Sequence, residues 1–127
     1  MLDYLVNYGV KKHSINYEDI DVNDRLALQD QINEVRRNYS NLLKLLDDVQ
    51  GKYLDCKNRL SRKSKEIISD CKVQGIRANE VFATDDDYLS LEAEEQALKS
   101  GLQMINNQIE YCKSDLRILN SVFYNKF

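Results

Sequence analysis

The chain contains no proline and no tryptophan, and only four of its 127 residues are glycine. Turns between strands draw on proline and glycine, so these shortages disfavour a sheet-rich fold and favour long helices, which need neither. No 18 apolar residues run together, so no transmembrane helix is expected. Met1-Leu2-Asp3-Tyr4 lacks the basic start and apolar core of a signal peptide, which points to a cytoplasmic chain. Cysteine is sparse as well. Cys56, Cys71 and Cys112 are odd in number and far apart, which argues against a disulfide framework and for small core residues on helices. The one histidine, His13, is remote from all three, so the ligand spacing of a Cys/His metal site is missing and no cofactor is expected. Nor is there a nucleophile–base constellation, a glycine-rich phosphate loop or a pair of carboxylates in a cleft. The sequence does not read as an enzyme.

What is present is charge and periodicity. Charged residues make up 31% of the chain and hydrophobic ones 43%, enough for one domain. The net charge of −3 is unevenly spread. Residues 1–56 carry seven basic and ten acidic side chains, residues 57–77 seven and two, and residues 78–127 four and nine. An acidic body therefore surrounds a basic middle.

Leu28, Ile32, Val35, Tyr39, Leu42, Leu46, Val49, Tyr53, Cys56 and Leu60 recur in alternating steps of four and three. This 3.5-residue period keeps one seam of a helix facing a partner. A second row runs through Tyr88, Leu91, Glu95, Leu98, Leu102, Ile105, Ile109, Cys112, Leu116, Leu119 and Phe123, with Glu95 its only polar member. Between them, around Gln74-Gly75 and residues 77–84, the pattern lapses. The expected fold is all-α: a long antiparallel coiled-coil hairpin with a short N-terminal helical or extended segment. The long helix spans about residues 24–73, the hinge 74–84 and the second helix 85–125, together one domain over residues 23–127. Residues 1–22 pack on the helices, with residues 2–8 a short helix closed by Gly9 and Val10 to Ile20 extended. Asp21, Asn23 or Asp24 supplies the cap of the first long helix. Thr84 caps the second, ahead of the acids Asp85, Asp86 and Asp87, which suit a helix start better than a metal.

The two exceptions in the seams suggest a register. Setting Lys63 opposite Glu95 pairs Cys56 with Leu102 and Val35 with Phe123, and avoids an unpaired buried charge. Apolar residues outside the seam, including Leu43, Leu45, Ile68, Leu89, Ile118, Val122 and Tyr124, widen the stripe enough to bury a further helix, so a homo-oligomer is expected.

The stretch Lys57-Asn58-Arg59-Leu60-Ser61-Arg62-Lys63-Ser64-Lys65 holds five cations and no acid, and Lys72 and Arg77 extend it towards the hinge. With Leu60 at the seam, Lys57 and Arg59 flank it on opposite sides while Arg62 and Lys65 lie towards the back. Such a surface suits phosphates. It also suits the solvated face of a coiled coil that binds only proteins.

The order of parts resembles the UvsY-like phage recombination mediators. The likeness is carried by Ile20-Asp21 before a long helix, the Lys-x-Arg-Leu element Lys57-Asn58-Arg59-Leu60, the start Val81-Phe82-Ala83-Thr84-Asp85-Asp86-Asp87-Tyr88-Leu89, and a C-terminal helix with Tyr111-Cys112. Ser61-Arg62-Lys63 stands where that family has aromatic and glycine residues. The resemblance implies a non-catalytic homo-oligomer, often a ring, assembled through the C-terminal helix, here Leu102, Ile105, Ile109, Leu116, Leu119, Val122 and Phe123. It implies binding of single-stranded DNA, displacement of the single-strand-binding protein and loading of a RecA-like recombinase in DNA recombination and repair, in the host cytoplasm if phage-encoded. Lys57 and Arg59 would be the first DNA contacts, and the charge pattern adds Arg62, Lys63, Lys65, Lys72 and Arg77. The alternative is a protein-interaction coiled coil, such as an assembly chaperone, adaptor or inhibitor, with no nucleic-acid binding.

Overall fold

The computed structural model describes residues 7–10 and 17–127. Among them there is no strand. Three α-helices follow a 3-10 turn at Tyr17–Asp19: α1 at Arg25–Gln74, α2 at Ala78–Phe82 and α3 at Asp86–Lys126. The two long helices pack on each other as an antiparallel hairpin. Residues 1–47 with 103–127 form one compact unit, and residues 48–102 another.

Each helix end has a local cause. Asp24 caps α1, its Oδ1 accepting from the backbone N–H groups of Leu26 and Ala27 at 3.0 and 3.1 Å. At the other end Gly75 takes φ 72, and the Ile76 N–H donates to Cys71 O at 3.0 Å. That is the Schellman arrangement, which glycine adopts without a Cβ penalty. The hinge contains the five-residue α2. Asp85, not Thr84, caps α3: its Oδ1 accepts from Tyr88 N at 2.8 Å. The Thr84 hydroxyl instead donates back to Glu80 O at 3.1 Å, closing the turn after α2. Asp86 and Asp87 occupy the positive first turn of α3.

In the first unit, Leu28, Ile32, Val35, Leu42 and Leu45 of α1 are buried, as are Ile105, Ile109, Cys112 and Leu119 of α3. Leu45, expected outside the seam, is fully buried. Two of the described N-terminal residues, Gly9 and Tyr17, are hydrogen-bonded to the long helices within this unit. Tyr17 OH donates to Asp115 Oδ1 at 2.5 Å, and Asn41 Nδ2 donates to Gly9 O at 3.4 Å. Gly9 has φ 69, as its expected capping role requires, whereas residues 2–6 of the helix it would close lie outside the described residues. Tyr17–Asp19 forms a 3-10 turn instead of extended chain, and residues 11–16 also lie outside the description.

The register differs from the expected one. Arg25, not Val35, lies over the Phe123 ring, 5.9 Å from its centroid, and Asn38 Nδ2 donates to Cys112 Sγ at 3.8 Å. In the second unit Cys56 meets Leu91 O at 3.5 Å instead of Leu102. Lys63 pairs with Asp85 and Asp87 at 4.0 and 3.8 Å instead of Glu95. The reason is that neither exception is buried deeply enough to demand the other. A lysine stem can lie along apolar surface while its ammonium reaches outward. The Lys63 side chain keeps 25% exposure, and Glu95 is half-buried.

Candidate nucleic-acid interface

All of the basic run lies in the second unit, on the last third of α1 and the hinge. Its backbone is helical because Lys, Arg and Leu are good helix formers and outnumber Asn58, Ser61 and Ser64, whose side chains compete weakly for backbone hydrogen bonds. The seam side is fixed by Cys56, Ile67 and Cys71, all buried, with Leu60 half-buried between them. At ~100° per residue, that seam sorts the cations into three directions.

Lys63 points nearest the seam and is held by the carboxylates of Asp85 and Asp87. Arg59 and Arg62 flank it and line an open groove of about 550 Å³. The same groove is lined from α3 by Asp87, Ser90, Leu91 and Glu94, and from α1 also by Glu66. Each arginine also has an acid four residues away on its own helix, Asp55 for Arg59 and Glu66 for Arg62.

The remaining cations lie outside that groove. Lys57 sits on the opposite flank, its Nζ 5.7 Å from the centroid of the half-buried Tyr53 ring. Lys65 and Lys72 lie towards the back of α1, one heptad apart and on the side away from the groove, and Arg77 precedes α2. All four are exposed. Among the described residues none of them forms a salt bridge. None of the three lysines has an acid three or four residues away on α1. The run expected to act as one cluster is therefore divided into a neutralised lysine, two arginines facing acids, and an outward set.

The first unit carries an exposed pair of its own at the same heptad spacing, Arg37 and Lys44. Arg37 and Lys44, in the first unit, were missed because they sit in an acidic stretch. A heptad count of the surface positions, not a charge count along the chain, reveals them.

Of the expected oligomerisation row, Ile105, Ile109 and Leu119 are at most 5% exposed within the chain itself. They hold the hairpin together and present no surface to a second subunit. Leu102, Leu116, Val122 and Phe123 are half-buried and keep an outward edge.

The cysteines are enclosed. Burial, then the carboxylates of Glu94 and Glu95, push the Cys56 thiol up, against a smaller opposing effect of Arg59. Burial also raises Cys112, against the hydrogen bond from Asn38. Neither has the lowered pKa of a reactive thiol. Among the described residues no three His, Cys, Asp or Glu side chains gather as a metal site, and His13 lies outside them. No described helix is long and apolar enough to cross a membrane.

Comparison with known protein families, curated proteins and solved structures returns no match. The likeness to the recombination mediators rests on the short motifs quoted above.

Proposed function

We infer that this chain is a non-catalytic, homo-oligomeric single-stranded DNA-binding protein of the recombination-mediator type, acting in the cytoplasm beside a RecA-like recombinase and a single-strand-binding protein. The observation that carries the reading is the outward row on α1. Lys65 and Lys72 are exposed, a heptad apart, with no acid three or four residues away and no salt bridge among the described residues, while Lys57 lies on the flank and Arg77 beyond the helix end. Cations held on a rigid helix without internal partners attract a phosphate backbone, releasing counterions as they bind. Tyr53 is half-buried and serves the seam more than base stacking. Arg59, which the Lys-x-Arg-Leu likeness would place among the first contacts, and Arg62, which the charge pattern adds, contribute less because carboxylates share their groove. The test is binding of a fluorescein-labelled single-stranded oligonucleotide across a salt series, with Lys65→Ala/Lys72→Ala as the decisive variant. Loss of affinity together with a shallower salt slope supports the reading, and unchanged binding overturns it.

A second reading is favoured by one specific observation. The Lys63 bridges to Asp85 and Asp87 satisfy part of the basic run inside the chain, as a protein-interaction hairpin with no nucleic-acid role would. Oligonucleotide binding that ignores ionic strength, or no binding at all, selects that reading.

A further inference from the structure

We propose that the groove of the second unit is a homotypic docking surface, through which two copies of this chain pair around a two-fold axis parallel to the helices. The proposal goes beyond the nucleic-acid reading and does not depend on it.

The groove has two walls of opposite sign. Arg59 and Arg62 stand on the α1 wall, and Asp87 and Glu94 on the α3 wall. The walls do not close on each other: among the described residues the salt bridges that cross between the helices are those of Lys63. Asp87, although 3.8 Å from Lys63, keeps 85% side-chain exposure. The two arginines and Glu94 thus share one open groove without pairing, and Arg59 and Glu94 both lie near enough to act on the Cys56 thiol.

A bipolar groove of this kind is complementary to itself. An isologous contact repeats each pairing twice, residue i on j and j on i. Two such grooves can face each other around an axis parallel to the helices or around one perpendicular to them. The perpendicular axis sets arginines against arginines and carboxylates against carboxylates, which repel. The parallel axis lays the α1 wall of one copy over the α3 wall of the other at the same level, so both arginines meet carboxylates and both contacts are formed twice. Electrostatics selects the second arrangement and supplies its specificity. An oligonucleotide suits the groove poorly, since Asp87, Glu94 and Glu66 would all lie beside its phosphates.

The test uses the full chain and two charge reversals, with sedimentation read in the absence of nucleic acid and oligonucleotide binding measured separately. R59E/R62E makes both walls acidic, and D87K/E94K makes both basic. Each variant alone should associate more weakly than wild type by about tenfold or more in sedimentation equilibrium at low salt. An equimolar mixture should regain the wild-type mass, because every acidic wall then meets a basic one. Asp87 lies in the first turn of α3, so S90K/E94K replaces D87K/E94K if circular dichroism shows lost helix. The proposal is overturned if well-folded variants fail to associate when mixed, or if each alone keeps the wild-type mass. It is equally overturned if R59E/R62E abolishes oligonucleotide binding without changing sedimentation, which would make the groove a nucleic-acid wall.

Discussion

Of the seven cations of the basic run and its extension to Arg77, four lie outside the acidic groove: Lys57, Lys65, Lys72 and Arg77. If each neutralises one phosphate of a single strand, the logarithm of affinity should fall with the logarithm of salt with a slope of about −2.8, from roughly 0.7 per contact. Between about 50 and 200 mM salt, affinity should then drop roughly 50-fold. Removing Lys65 and Lys72 takes away two contacts, so Lys65→Ala/Lys72→Ala should halve the slope and reduce the drop to about sevenfold. Lys63→Ala is the control on the same helix. Its ammonium is already engaged by Asp85 and Asp87, so the slope should stay near the wild-type value. Fluorescence anisotropy with a labelled oligothymidylate at four or more salt concentrations reads all three slopes. A Lys63→Ala slope that falls by half as much as that of Lys65→Ala/Lys72→Ala, the share of one contact, would refute the division of the basic run into paired and outward cations.

Leu45 is fully buried and Leu43 is 43% exposed, so Leu45→Ala should cost about 2–5 kcal/mol in urea unfolding while Leu43→Ala costs well under half of that; equal losses would place Leu45 outside the core. Burial, then the hydrogen bond to Asp115 and its charge, push Tyr17 up to about 12. Because this folded-state value lies above the ordinary 10.0, Tyr17 favours the fold fully below pH 10 and loses that contribution as pH rises towards 12. Tyr17 is 39% exposed, so after allowing for solvent screening Tyr17→Phe should cost about 1 kcal/mol at neutral pH and flatten the alkaline loss of stability; an unchanged alkaline limb would refute the assignment. Gly51 and Gly75 should respond oppositely to alanine, since a Cβ meets nothing within 4 Å at either, but only Gly75 has a positive φ. Gly51→Ala should stabilise by roughly 0.5–1 kcal/mol and Gly75→Ala destabilise by about 1–2 kcal/mol in thermal melts.

The hairpin was legible because its evidence is repetitive. Two rows of apolar residues at a 3.5-residue period leave little choice of secondary structure, and α1 and α3 begin and end within a residue of their expected limits. The register was not legible, because it was argued from a single charge pair. Lys63 and Glu95 looked like groups that must find each other, but both reach the surface, so no buried charge arises to force them together. The cap of α3 was misread for a related reason: Thr84 and Asp85 are both good capping residues, and only the turn after α2 decides that Thr84 is used elsewhere. At the candidate site, the flanking positions of Lys57 and Arg59 followed from the helix period. The acids facing Arg59 and Arg62 come from α3, so their presence depends on the register and was invisible in the local charge pattern. The burial of Leu45 depends likewise on packing that the seam count could not supply.

Antiparallel pairing also sets a gradient in how far apart in the chain the native partners lie. Beside the hinge, Cys56 and Leu91 are separated by 35 residues. Asn38 and Cys112 are 74 apart, Tyr17 and Asp115 are 98 apart, and Asn23 and Lys126 are 103 apart. Closing the shorter loops costs less chain entropy, so contacts beside the Gly75 turn form early and those joining the start of α1 to the end of α3 form late. During synthesis the buried face of α1 waits longest for its partner at the end made first. That half of the helix is where transient solvent exposure of Leu28, Ile32 and Val35, and with it the hazard of wrong association, is greatest.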